Sequence, residues 1–136
     1  MRQIGFLMTL LCLTAVGAMA QDATKVDPQH YKVEYEDARI RVVRIKYGPH
    51  EKSVMHEHSI GNCSIYLTDM HIKDITPDGK NAEEKVKAGT VECSPSKAGK
   101  QVHQPENLSD QPLELILVEH KVKSAAAKPG KAAKSR

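Results

Sequence analysis

Residues 40–47 read IRVVRIKY and residues 113–120 read LELILVEH. Both are rich in β-branched and aliphatic residues and alternate along the chain, the pattern of a strand with one buried face. The same period of two runs through Tyr31, Val33 and Tyr35, through CSIYLT at 63–68 and through Met70 to Ile75. Pro77-Asp78-Gly79 signals a turn, and a polar strand over 82–87 completes a hairpin behind it. Ala88-Gly89 signals another turn, followed by a short extended piece at 90–94 and a loop at 95–99. No run after residue 20 has helical periodicity over three turns. The expected fold class is therefore all-β, a sandwich or closed barrel of short strands. Closure removes the exposed edges that so many short strands would otherwise present. Met55, Ile65, Leu67, Leu115 and Leu117 are expected to pack the barrel, with Tyr66 facing away from Ile65 and Leu67.

The flanks differ from this middle. Residues 1–20, MRQIGFLMTLLCLTAVGAMA, have a positive start at Arg2, an uncharged apolar run from Ile4 to Val16 and a small-x-small site at Ala18-Met19-Ala20. That is the layout of a cleaved secretory signal peptide, and it places the protein outside the cytoplasm, periplasmic or extracellular. The run is short for a membrane span, and no stop-transfer pattern follows it. Residues 21–29 read as an N-terminal linker, 30–121 as the barrel domain and 122–136 as a disordered basic tail. From Lys121 to the end there are six basic residues and no acid, a composition that cannot offset its own ordering entropy. Such a tail is suited to solubility or to contact with anionic envelope polymers.

The net charge of +3 over 136 residues averages these segments. Residues 21–120 hold thirteen basic and seventeen acidic residues, so the folded part is acidic and a poor partner for nucleic acid. One Phe, four Tyr and no Trp also argue against base stacking and against a large aromatic-lined cavity.

His56-Glu57-His58 places two imidazoles at i and i+2, on one face of a strand, where they can share an ion. Gly48 precedes the pair, and downstream come Gly89, Pro95, Gly99, His103 and Asn107. The order Gly48, His56, His58 and then Gly89, Pro95, Gly99, His103, Asn107 resembles the two motifs of the cupin superfamily, over roughly residues 30–120. The resemblance is to small, single-domain bacterial cupins with a secretory leader. It implies a double-stranded β-helix, a small jelly-roll barrel. It also implies a small-molecule ligand or substrate in the barrel mouth, a divalent metal (Fe, Mn, Zn or Ni) held there by His56, His58 and His103, and room for a homodimer.

Three departures stand out. The spacing from Pro95 to Gly99 is two residues longer than in the motif. Ile60-Gly61 follows the histidine pair where many members have a proline. Where the first motif carries a glutamate ligand, this sequence has Cys63, after Asn62. Three readings of that substitution remain open. The first is a three-histidine site, resembling the thiol dioxygenases of the superfamily and implying Fe(II), dioxygen and a thiol substrate, although no Ser-His-Tyr series or partner tyrosine is evident. The second makes Cys63 a fourth, thiolate ligand or a site-lining residue. The third is a degenerate site in a non-catalytic ligand-binding or structural barrel.

Loss of the signal peptide would remove Cys12 and leave Cys63 and Cys93, and two cysteines in an exported protein suggest one disulfide. The cupin layout implies that the strands carrying them are neighbours, a pairing that competes with metal ligation by Cys63. His50 reads as a solvated loop residue, His71 and His120 as surface or satisfied strand residues, and His30 as exposed. Glu57 is expected on the opposite face from the histidines, and Asn107 is expected to order a turn.

Overall fold

The computed structural model describes residues 21–58, 61–94 and 101–121. The signal peptide expected at 1–20 and the basic tail expected at 122–136 lie outside the described residues. In chain order the elements are β1 (Gln21–Asp22), α1 (Ala23–Val26), β2 (Tyr31–Glu36), β3 (Ile40–Tyr47), β4 (His56–His58), β5 (Asn62–Tyr66), β6 (Met70–Ile75), β7 (Asn81–Val86), β8 (Val91–Ser94), β9 (Gln101–Asn107) and β10 (Leu113–His120). They form two five-stranded sheets, ordered β1-β4-β9-β6-β7 and β2-β3-β10-β5-β8. Every pairing is antiparallel except β1 with β4. This is the all-β, double-stranded β-helix architecture that the alternating pattern and the motif resemblance led us to expect.

The interior is written in the phase of the central strands. Leu113, Leu115 and Leu117 of β10 lie opposite Tyr47, Ile45 and Val43 of β3, and all six are buried. Cross-strand partners share a sheet face, so one register makes a continuous apolar wall. Met70 and Val86 close it from the other sheet. Each fully buried aliphatic side chain contributes about 1.5–3 kcal/mol by leaving water. The turns signalled by Gly79 and Gly89 are present, with φ of 80° and 84°, values at which a side chain would be strained.

The same register corrects the reading of β5. Tyr66 lies opposite Leu115 and Ser64 opposite Leu117, so Ser64 and Tyr66 face inward. Ile65 and Cys63 point the other way, and Leu67 beyond the strand is exposed. The assumption that the apolar members of CSIYLT must be inside fails because this face lines a polar cavity. Strand β9 was not signalled either. Its sequence QVHQPEN is polar and contains Pro105, since its inward positions serve the site rather than the core.

Residues 21–29 are more than a linker. β1 pairs with β4, Asp22 caps α1 by accepting from the Thr24 amide, and Ala23 and Asp27 are buried. Arg41 fastens this segment by donating to Asp22 at 2.6 Å. Among the described residues no helix is long and apolar enough to cross a membrane.

Candidate metal centre

Strand geometry assembles the three histidines. His56 and His58 are two residues apart on β4, and His56 sits directly opposite His103 on β9. Alternation and cross-strand pairing therefore put all three rings on the inner face. Their nearest ring nitrogens all lie within 4.8 Å of one another. The rings stand edge-on, with an interplanar angle of 88° for His56–His58 and 71° for each of the other two pairs.

Each Nδ1 faces an oxygen, within hydrogen-bond distance for His56 and His103 and farther off for His58. His56 Nδ1 lies 2.9 Å from the Val54 carbonyl oxygen, His103 Nδ1 lies 3.0 Å from Asp74 Oδ1, and His58 Nδ1 lies 3.7 Å from Glu119 Oε1. An oxygen at Nδ1 turns each ring so that Nε2 points toward its neighbours, the arrangement metal-ligating histidines use. The His56 and His58 Nε2 atoms then face each other at 3.2 Å. His103 Nε2 is buried without a hydrogen-bond partner among the described residues. Three lone pairs converge with one hydroxyl nearby, that of Tyr31, 3.2 Å from His56 Nε2. A divalent cation satisfies this donor set, and neutral imidazoles suit Fe, Mn, Ni or Zn.

The electrostatics agree. Burial, with the His103 and His58 rings adding to it, holds the His56 imidazole down to about 4, so it is neutral and available. Burial pushes the Glu119 carboxyl up, but hydrogen bonds from His58 and Arg41 outweigh it and hold the group below its ordinary value. Glu119 is almost wholly buried and ion-paired to Arg41 on the neighbouring strand. Neither Glu119 nor Asp74 was singled out from the sequence. Both carried a signal: each is the one carboxylate in an inward phase that is otherwise apolar, after Met70 and Ile72 on β6 and after Leu113, Leu115 and Leu117 on β10.

Cys63 is neither a fourth ligand nor a lining residue. It is disulfide-bonded to Cys93, its direct partner on β8, so it has no thiolate to offer. Its neighbours Asn62 and Ser64 line the cavity, which places Cys63 on the outer face. The disulfide expected from the strand layout is the alternative that holds.

His30 is buried, not exposed. Its Nδ1 lies 2.7 and 2.9 Å from the two Asp27 oxygens, and its ring stacks on Tyr47 at 4.5 Å and 9°. Ser53 Oγ donates to Asp27 at 2.5 Å and lies 3.4 Å from His56 Nδ1, so this cluster backs the metal side of the barrel. His50 is a loop residue at φ 57°, held to Asp110, and His71 pairs with Glu83. Asn107 is fully buried at the end of β9. Its amide donates to the Gly48 and Gln111 carbonyls at 2.9 Å each, joining the glycine of the first motif to the turn after the second.

A cavity of about 280 Å³ opens beside the histidines. Ile45, Leu113, Leu115 and Leu117 form its floor, and His58 and His103 form part of its wall. Three of the four tyrosines, Tyr31, Tyr47 and Tyr66, also line it. The cavity is small, and the few aromatic residues present are concentrated in it. Burial raises the hydroxyls of all three well above the ordinary tyrosine value, so they act as neutral hydrogen-bonding groups.

No protein-family model matches the chain, and no curated protein matches it. Solved structures do. A cupin domain from Bordetella pertussis Tohama I is 20% identical, with a TM-score of 0.61, over 78% of this chain and 100% of that one. An RmlC-like cupin from Methanocaldococcus jannaschii is 14% identical with a TM-score of 0.49, over 66% of this chain and 77% of that one. A protein with a double-stranded β-helix domain from Klebsiella pneumoniae is 20% identical with a TM-score of 0.49, over 65% of this chain and 73% of that one. The first likeness shows that this chain has the cupin fold.

Proposed function

We propose that the protein is an exported, single-domain metal-binding cupin that holds one divalent ion on His56, His58 and His103 and takes a small molecule into the adjoining cavity. The observation that carries this reading is the convergence of one ring nitrogen from each of His56, His58 and His103 within 4.8 Å of one another, on the inner face of the barrel. When bound, the ion would supply Lewis acidity and an open coordination position. The chain's own contribution is to shield that position. The leucine floor excludes water on one side, Tyr31 places a hydroxyl beside His56, and Asp74 and Glu119 hold two of the rings in orientation. Export is supported by the leader-like residues 1–20, and a disulfide suits an oxidising compartment.

Metal analysis of the purified protein tests the reading. One equivalent of Fe, Mn, Ni or Zn per chain, lost in His56→Ala, is expected; an apo protein that takes up none of them refutes it. Loading with Fe(II) and following dioxygen consumption with candidate substrates separates an oxygenase from a binding domain without turnover.

A further inference from the structure

The cavity beside the histidines has a sign. Three carboxylates line it, Asp74 from β6, Glu84 from β7 and Glu92 from β8, and among the described residues no Lys or Arg does. Asp74 is engaged with His103. Glu92 accepts from the Tyr66 hydroxyl at 3.0 Å, which aims it along the cavity wall. Glu84 has no ion-pair or hydrogen-bond partner among the described residues. Glu84 is exposed at the cavity mouth, and partial desolvation there, with Glu92 and Asp74 beside it, raises its carboxyl above the ordinary value, so a cation arriving there relieves an existing repulsion. Loading the metal does not reverse the sign: a dication on neutral imidazoles adds two positive charges against three carboxylates.

We infer that the molecule this cavity takes is a compact organic cation, a primary amine or ammonium compound whose charged end lies between Glu84 and Glu92 while its other end approaches the histidines. The inference rests on the reading of the cavity as the ligand chamber of the metal centre. Carboxylate and phosphate ligands are disfavoured at the Glu84–Glu92 end, because no cation among the described lining residues would pair with them there and three carboxylates would oppose them; only the open position on a bound metal would attract them, so the comparison with succinate is decided on the metal-free protein.

Three four-carbon probes of equal length separate charge from shape: 1,4-diaminobutane, 1,4-butanediol and succinate. Calorimetric titration of the full chain at low salt, with metal content measured on each sample, is expected to show the diamine binding about tenfold tighter than the diol, and succinate weakest. The double variant Glu84→Gln/Glu92→Gln is expected to lose about tenfold in diamine affinity. Glu83→Gln, on the same strand but paired to His71, is expected to leave it unchanged. Succinate binding as tightly as the diamine, or diamine binding indifferent to the double variant in a protein with unaltered circular dichroism, overturns the inference. The metal reading is separable. A diamine preference retained in a metal-free His56→Ala protein leaves the ligand class standing while the metal reading stands or falls on uptake by the unaltered chain. Full metal occupancy without a diamine preference does the reverse.

Discussion

His56 and His103 are direct cross-strand partners on β4 and β9, so the candidate metal centre depends on the register of a three-residue strand. A slip of β4 by one residue would turn His56 and His58 to the outer face and leave His103 behind. The site and the sheet are therefore specified together.

The first expectation concerns the ligands and their supports. If the proposed reading holds, His103→Ala removes one of three ligands and abolishes stoichiometric metal retention on dialysis. Asp74→Asn keeps the ligand but weakens what fixes its ring, 3.0 Å away, and should lower metal affinity about 10–100-fold. Competition with a chromophoric chelator measures both. Equal affinities for Asp74→Asn and the unaltered protein would remove Asp74 from the site.

The second is a pH dependence of stability. In the metal-free protein His56 stays neutral down to about 4, whereas in the unfolded chain it takes a proton near its ordinary value of 6.5. Between these values the unfolded state binds more protons, so stability falls as pH drops from 6.5 to 4, by about 3 kcal/mol at the end of the window. Urea denaturation at pH 7, 6, 5 and 4 measures it. His56→Leu should flatten the slope over that window, and an unchanged slope would show that His56 is not its source.

The third separates the disulfide from the metal. Cys63 and Cys93 close a loop of 30 residues, so the double variant Cys63→Ser/Cys93→Ser should lose about 3–4 kcal/mol of stability. Metal occupancy should be unchanged, because both sulfurs belong to the disulfide. Loss of metal from a variant that remains folded would reopen a role for Cys63 in ligation.

The fourth concerns Asn107. Its amide nitrogen donates to two carbonyls and its oxygen accepts from the Ser109 amide and hydroxyl. Asn107→Ala leaves those buried groups unpaired and should cost about 2–3 kcal/mol. Asn107→Asp keeps the acceptor but sets a carboxylate against two carbonyl oxygens, and should cost more. Thermal denaturation of the two variants orders them, and an Asp variant as stable as the unaltered protein would contradict the donor assignment.

The strands that build the core were legible because their inward positions are apolar: β3 and β10 announce themselves by alternation. The strands that build the site were harder to read for the complementary reason. In β5 and β9 the inward residues are Ser64, Tyr66, Gln101 and His103, so a hydrophobic period is absent or points to the wrong face. The histidine triad was readable from its spacing and its resemblance to a known motif. The groups that orient it come from β6 and β10, where only knowledge of register turns Asp74 and Glu119 from surface acids into partners of His103 and His58. His30 was misread because its buried partner, Asp27, lies three residues away in a segment without any strand or helix pattern.

The Cys63–Cys93 bond also has a kinetic side. β8 is the outermost strand of its sheet and brings Glu92 and Ser94 to the rim of the cavity, where a covalent bond ties it to β5. On the opposite rim β7 brings Glu84 and is held to β6 by backbone hydrogen bonds, the His71–Glu83 pair and side-chain packing, with no covalent bond. The doorway is thus stiff on one jamb and compliant on the other, and β7 amides should exchange with deuterium faster than those of β8. A reductant would loosen the stiff jamb, and Glu92 with it, without reaching the three histidines. Residence time in the cavity then becomes a property that the redox state of the surroundings can set.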